Sequence, residues 1–547
     1  QTLLYGDLNA YSTRHNFTFP ALQRQRDRLR KKMRISDNAE ELRTRAINDF
    51  IEVNRLAGNV SVKINPQIVD DARHFIWTAL NRFTRNHTND SSEVLNLTLL
   101  LTLWKHGPGS FHGNRVTHFV DKICHNRKGQ SVTSRAQRFA DLLLKMDPHL
   151  SRYFADLGIG FKNVEGSRLS TVAKNEETQR TIAKEPLWNM ALQLAAGAYI
   201  EGGLQSVGLD LSTQPELNKR LAWVGSVTNG LATIDLKSAS DLITPALIEL
   251  LWPRSWFCFL SAIRSERIKV PGHGWIDANM MSTMGNGFTF PMMTLTLLSL
   301  VYACQSHRIR KSMYWNKQDT GVFGDDIIVP SEDYESVCAV LHGAGLIVNT
   351  DKSYHDGPFR ESCGGDFWTG LDITPFYPKS LGSEPEVYIA INQLLDWSGY
   401  HRIPLVDSFE YLLSLIDKKP FFVPIWSQPY QGIKTREVSG RYKQWDIYSS
   451  DRKIDLERIN PIAAIKIILY GAVTSTKHTE VCPSMRNPSE RYVVTYTPRT
   501  DRPIYRFSEA RLPRGFLDGS APQLRSTEVS EWIDQVYLVP TVLKNKL

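Results

Sequence analysis

The chain of 547 residues is poor in cysteine, and none of its cysteines stands in a pairing or chelating pattern. Cys124, Cys258, Cys304, Cys338, Cys363 and Cys482 are scattered, with no Cys-x-x-Cys and no paired histidine spacing. This argues against a structural zinc site or a disulfide scaffold and fits a reducing cytosol. Long apolar runs are missing as well. The longest, Phe290–Cys304, contains Pro291 and the polar Thr294, Thr296 and Ser299, so it reads as a buried core helix and not as a membrane span. No secretory signal is visible, and Gln1 in place of Met is what a numbering that starts inside a longer reading frame would give. Internal repeats and low-complexity linkers are absent. The Asn-x-Ser/Thr triplets at Asn16, Asn59, Asn86, Asn89 and Asn96 carry no meaning in a cytosolic protein.

What is present suits a large globular chain. Hydrophobic residues make up 42%, enough for a sizeable core, and 22% charged residues argue against disorder. The net charge of +8 permits a polyanionic partner without requiring one. The first 160 residues read as mostly helical. Ile68, Val69, Ala72, Phe75, Ile76, Ala79 and Leu80 share one helical face, and a second helix is predicted from Ser134 to Met146, ending before Asp147-Pro148. Between 231 and 330 short β-type runs (231–235, 320–330) bracket helix-like ones (245–252, 290–304). Beyond 380, a helix-like run (Ile462 to Tyr470) mixes with a β-like one (Arg491 to Thr497).

The segment TGVFGDDIIVP (320–330) places Asp325 and Asp326 side by side at the tip of a predicted hairpin. Adjacent carboxylates repel and raise each other's pKa, and a cation removes the conflict. GLATIDLKSASD (230–241) supplies a strand ending in Asp235, with Asp241 six residues on. A strand-end aspartate beside an Asp-Asp hairpin can hold two Mg²⁺ ions about 4 Å apart for in-line phosphoryl transfer, and hard oxygen ligands suit Mg²⁺ or Mn²⁺. Alone, Gly-Asp-Asp is equally an ordinary turn.

Three further segments add to this. STMGNGFTF (282–290) sets Asn286 between two glycines ahead of the apolar run; such a loop lets a backbone approach a sugar-phosphate closely, or simply leads into a helix. TVAKNEETQRTIAKEP (171–186) carries Lys174, Arg180 and Lys184, cations of the kind a triphosphate needs, although Glu176, Glu177 and Glu185 dilute the charge. FRESCGGDFWTG (359–370) reads as a turn-rich hairpin with no chemistry legible in its residue types.

Taken in order, ATIDLKSASD, STMGNGFTF, GDDIIVPS, GPFRESCG and GLDITPFY resemble the replicase of the small positive-strand RNA bacteriophages, the levivirus group. The close resemblance runs from Thr171 to Lys379; outside it only length and texture agree. It implies an α+β right-hand polymerase of fingers, palm and thumb, with an antiparallel palm sheet backed by helices. Residues 1–229 would form the N-terminal region and fingers, 230–379 the palm with an interleaved finger segment, and 380–547 the thumb and C-terminal region. Asp235, Asp325 and Asp326 match the catalytic metal-binding aspartates. Lys174, Arg180, Lys184, Asp241, Ser282, Gly285 and Asn286 match nucleotide-binding positions, with Asp241 and Asn286 serving ribose selection. Lys352 matches a lysine that is a candidate proton donor to pyrophosphate. Lys237, Pro291 and Ala173 depart from the expected Ser or Ala, Glu and Pro, which marks a divergent member.

The implied activity is RNA-directed RNA synthesis from ribonucleoside triphosphates on an RNA template, with Mg²⁺ as cofactor, Mn²⁺ able to substitute, and no primer. Host elongation factors Tu and Ts and the largest small-subunit ribosomal protein are the implied partners, no membrane is involved, and the cytoplasm of the infected bacterium is the place of action. RNA contacts are expected from the basic run at 24–34 (Arg24, Arg28, Lys31) and from arginines interleaved with aromatics near the C-terminus (Arg491, Arg499, Arg506). Two other readings stay open: another palm-fold polymerase such as a reverse transcriptase, and an inactive RNA-binding subunit.

Overall fold

The computed structural model describes residues 18–33, 39–88, 94–107, 111, 122, 130–156, 158–174, 178–309, 317–378, 380–403, 405–417, 419–436, 438, 440–448, 452–455, 493–496 and 504–511. The N-terminal part is helical: α1 is Thr18–Met33, α2 Ala39–Asn59, α3 Pro66–His87 and α4 Ser134–Met146. The apolar periodicity at 68–80 becomes the buried face of α3, with Ala72, Ile76, Ala79 and Leu80 fully buried. Its start is set chemically. Asn65 caps the Gln67 N–H at 2.9 Å, and Pro66 occupies the first turn, where a missing N–H is harmless. The helix predicted at Ser134–Met146 is α4, and it stops at Asp147.

Strands β1 (Ser167–Ala173) and β2 (Gln179–Lys184) form an antiparallel hairpin across the basic segment. Helix α5 (Leu187–Ser206) is apolar on nearly every side and runs through the main core. Helix α6 (Gln214–Thr228) ends on Asn229, whose φ of 56° lets the chain turn sharply into β3 (Leu231–Ile234). Then follow β4 (Leu236–Lys237), the single turn α7 (Ala239–Leu242), and strands β5 (Arg267–Val270) and β6 (Gly274–Asp277). The last two extend the β1–β2 hairpin into a four-stranded sheet of order β2-β1-β5-β6, with β1 parallel to β5. Helix α8, Thr289–Ile309, contains the longest apolar run, and Leu295, Leu297, Leu298 and Val301 are completely buried. Pro291 falls in its first turn, where proline is tolerated. Among the described residues no helix is long and apolar enough to cross a membrane.

The 320–330 segment is the predicted hairpin, with β7 at Gly321–Phe323 and β8 at Asp326–Pro330. With β3 it makes a three-stranded antiparallel sheet of order β3-β8-β7. Strand alternation divides its side chains. Ala232, Ile234, Val322, Ile327 and Val329 face the main core with α8, while Leu231 and Ile328 pack with Leu221 and Ala222 of α6 and with Phe367. The sheet thus has helices on both faces. The short β9 (Ile347–Val348) pairs with β4, and β10 (Phe359–Ser362), β11 (Gly365–Trp368) and β12 (Leu371–Asp372) form an antiparallel meander. Helix α9 (Glu384–His401) builds a second core with Ala21 and Leu22 of α1, so the first helix shares its core with residues 373–433. The helix-like run Ile462–Tyr470 lies outside the described residues. Within the β-like run at 491–497, Val493–Tyr496 is a strand paired with Arg452–Asp455.

Candidate active site

The carboxylates meet because β3 and β8 are neighbours. Ile234 pairs with Ile327, so the next step of the register sets Asp235 opposite Asp326. Asp325 sits in the two-residue turn before Asp326. Gly324 opens that turn with φ +61°, and Asp325 keeps a negative φ, the sign pattern of a type II′ hairpin. A side chain at 324 would also strike the Phe290 ring, since a Cβ there would lie 2.6 Å from it.

Asp235 is held from one side. The Asn349 side chain donates to its Oδ2 at 2.7 Å, the Asn349 N–H donates to its carbonyl at 2.8 Å, and its own N–H donates to Ser353 Oγ at 3.1 Å. Burial pushes its carboxyl above the usual range, Asn349 and the cations Lys352 and Lys174 pull it back, and Asp325 adds to the rise. Lys174 closes the tip of the β1–β2 hairpin through its N–H to Thr178 O at 3.0 Å. Its ammonium is lowered by burial and by Arg180 and Lys352, and raised by Asp235 and Asp325. Two carboxylates and two lysines therefore share one field.

Asp326 turns to a different neighbour. Its Oδ1 accepts from the Cys363 N–H at 3.2 Å and lies 3.4 Å from Ser362 Oγ. Burial, against the Cys363 bond and with Asp325 and Asp235 beside it, pushes it up to about 6. The donor is aimed by the β10–β11 turn, where Cys363 (φ 49°) and Gly364 (φ 77°) both take the left-handed backbone of a type I′ turn. Arg360, fully buried, ties this hairpin to β3 by donating to Leu231 O at 2.6 Å, Gly357 O at 2.8 Å and Asn229 Oδ1 at 2.6 Å.

The loop at 282–288 lies against β2 and α5. Ala183 N–H of β2 donates to Met284 O at 2.9 Å, and burial pushes the Asp241 carboxyl up to about 6, with Ser240 and the Met284 backbone pulling it back. Gly285 (φ +113°) permits a close approach, but to protein: a Cβ there would stand 2.3 Å from Ala183 O. Asn286 is buried and its Oδ1 accepts from Phe288 N–H at 3.0 Å, so that oxygen already caps the entry to α8. Ser282 is buried with no hydrogen-bond partner for its hydroxyl among the described residues. Arg180 and Lys184 share one face of β2 with Ile182, whose methyl borders Gly285.

Part of the N-terminal basic run meets protein groups. Arg24 donates to Asp366 Oδ2 at 2.7 Å and to Glu361 Oε2 at 2.5 Å, Gln25 pairs with the Phe376 backbone in both directions, and Arg28 lies over the Tyr377 ring. Arg24 thus anchors a helix to the β10–β11 hairpin and does not stand as a solvated cation. Lys31 and Arg506 are placed by backbone alone, and Arg491 and Arg499 lie outside the described residues. The reading of residue types missed Asn349, Ser353, Asn218 (its side chain donates to Asp326 O at 3.2 Å) and Arg360. For the first two, their closeness in the chain to Lys352 was the available signal.

Among the described residues no three His, Cys, Asp or Glu side chains are arranged to hold a metal ion by themselves. Paired carboxylates still fit a hard cation of the Mg²⁺ type, which is usually bound by one or two carboxylates and completed by phosphate and water.

Known proteins resemble this chain. It is 38% identical over 270 residues to the RNA-directed RNA polymerase subunit beta of Escherichia virus Qbeta, covering 49% of this chain and 44% of that protein. It is 40% identical over 274 residues to the RNA-directed RNA polymerase beta chain of Escherichia phage MS2, covering 49% and 48%. These matches span about half the length of each relative. Among solved structures, the RNA-dependent RNA polymerase of a human picobirnavirus is 12% identical with a TM-score of 0.45, over 76% of this chain and 82% of that one. The family model described as RNA replicase, beta-chain, matches residues 105–434, more than half of the sequence and all of the site described above, and the chain belongs to that family.

Proposed function

We propose that this chain is the catalytic part of an RNA-directed RNA polymerase that copies a phage genome in the infected bacterium. One observation carries the reading. In a member of the replicase family, Asp235 and Asp325 come from a strand end and an adjacent hairpin into the same field as Lys174 and Lys352. In this reading the β3-β8-β7 sheet is the palm, with the β1–β2 hairpin belonging to the fingers and residues 380–547 to the thumb and C-terminal region.

Asp235 and Asp325 would hold Mg²⁺, with Asp326 contributing charge from behind. Bound magnesium supplies a lowered pKa at an attacking 3′-hydroxyl and neutralises charge on the leaving pyrophosphate. Lys174, Arg180 and Lys184 receive the triphosphate as hydrogen-bond donors. Asp241, Ser282 and the loop around Gly285 and Asn286 face the sugar, where an unpaired buried hydroxyl at Ser282 suits a ribose 2′-OH that both donates and accepts. Lys352, which shares the field of Asp235, would give a proton to pyrophosphate.

The test is primer-independent incorporation of labelled ribonucleotides on an RNA with a C-rich 3′ end. Purified chain is assayed in Mg²⁺ with and without elongation factors Tu and Ts and the largest small-subunit ribosomal protein. The expected result is template-dependent product that chelation abolishes and Mg²⁺ or Mn²⁺ restores. RNA binding without product under every condition would overturn the reading in favour of a non-catalytic RNA-binding subunit.

A further inference from the structure

The last acidic residue of the basic segment, Glu185, looks in the sequence like a dilution of positive charge. In the fold it is 2% exposed and follows Lys184 at the end of β2. Its Oε2 accepts from Ser265 Oγ at 2.6 Å and from Gln193 Nε2 at 3.1 Å. Gln193, on α5, is completely buried. Its amide nitrogen also donates to Ile263 O at 2.9 Å, and its Oε1 accepts from the Gly287 N–H at 3.3 Å.

This geometry gives Glu185 a part in orienting the Gln193 amide. A buried glutamine amide can sit in either of two flipped orientations, chosen by its surroundings. Here Glu185 and Ile263 O are both acceptors, so the NH₂ end must face them and the carbonyl end must face Gly287. Arg264 does not compete for the carboxylate, because its guanidinium donates to Ala278 O and Met280 O. Burial pushes the Glu185 carboxyl up to about 7, restrained by Ser265, Gln193 and Arg264, and it accepts in either protonation state. At the other end of the loop, Met284 is gripped by Ala183 through its carbonyl. The loop between the two grips carries Gly285 and Asn286.

We infer that Glu185 and Gln193 are a positioning pair that sets the 284–287 loop against the β1–β2 hairpin, so that the choice of ribose over deoxyribose depends on a buried carboxylate remote from the sugar. The inference rests on the polymerase reading, and its test separates the two. Glu185→Met and Gln193→Met remove the hydrogen bonds while keeping much of the side-chain volume. Each is expected to lower the ratio of kcat/KM for ribo- over deoxyribonucleotides by about tenfold, the scale of one lost buried hydrogen bond. That ratio does not respond to the fraction of folded enzyme. The double variant is expected to be no worse than either single one, because the two act in series. Glu185→Gln, which keeps an acceptor for Gln193, is expected to rescue the ratio to about twofold of the unaltered chain.

Amide exchange at Gly287 gives a readout that needs no catalysis, and it is expected to quicken in both Met variants and not in Glu185→Gln. Should Glu185→Met fail to fold, Gln193→Asn, one methylene shorter, carries the same expectation. An unchanged discrimination ratio with unchanged Gly287 exchange would overturn the pair. A chain that makes no RNA but shows the exchange pattern would overturn the polymerase reading and leave the pair standing as a loop anchor.

Discussion

Two tight hairpins meet through Asp326 and Cys363, and both have two-residue turns. The first, at Gly324-Asp325, has one positive φ; the second, at Cys363-Gly364, has two. The first places a carboxylate at its tip beside Asp235. The second carries no charge at its tip and directs a backbone N–H at Asp326. Adjacent aspartates in the sequence therefore have separate surroundings, one sharing a field with Lys174 and Asp235, the other tethered to a neighbouring turn. Identity of residue type says little about role when a turn reverses direction between them.

The comparison can be broken most severely at the charged tip. Asp325→Asn is expected to reduce RNA synthesis by more than about a thousandfold while leaving RNA binding nearly intact, since a lost carboxylate removes transition-state charge stabilisation. Quantified product per bound template checks this; residual synthesis within tenfold of the unaltered chain would end the metal-ligand proposal for Asp325.

Asp326→Asn sharpens the contrast, because an asparagine oxygen can still accept from Cys363. Its loss of synthesis is expected to stay below about a hundredfold. It should also change the pH dependence of stability. The folded pKa of about 6 lies above the ordinary 3.8, so the folded state binds more protons in that window and stability falls as pH rises through it. About two pKa units correspond to at most about 3 kcal/mol. Thermal melts of metal-free protein from pH 4 to 7 should show a flatter slope for the variant, and equal slopes would refute the buried setting of Asp326.

Gly324→Ala tests the backbone of the first hairpin. A left-handed φ of +61° and a Cβ 2.6 Å from the Phe290 ring together predict a loss of about 2 kcal/mol in denaturant unfolding. Cys363→Gly is the mildest probe. It relieves a left-handed cysteine, adds chain entropy to the unfolded state and keeps the N–H, so stability should rise by less than about 1 kcal/mol with unchanged synthesis. A marked loss would mean that the thiol itself matters.

Local pattern made much of this legible. The 3.6-residue period at 68–80 gave α3, the apolar run at 290–304 gave α8, and the paired β-prone runs around Gly324 gave the central hairpin with Asp235 at the end of its neighbour. Polar partners distant in the chain were not legible. Which face Asp326 takes depends on strand register, and which carboxylate Arg24 meets depends on a hairpin 337 residues later. The amide orientation of Gln193 is decided by three segments at once, 185, 263 and 287, and no local window contains them. Charge runs and isolated glutamines look solvated until the tertiary fold supplies their partners.

The seat of the first helix has a consequence in time. Gln25 exchanges two hydrogen bonds with the backbone of Phe376, a partner 351 residues further along. At a ribosome's pace of about 5–20 residues per second, roughly 20–70 s separate the emergence of the two. For that interval Ala21 and Leu22, fully covered in the finished protein, have only water or a transient escort to face. Helix α1 leaves the ribosome long before its partners, and its docking clasps the meander that bears the Cys363 turn.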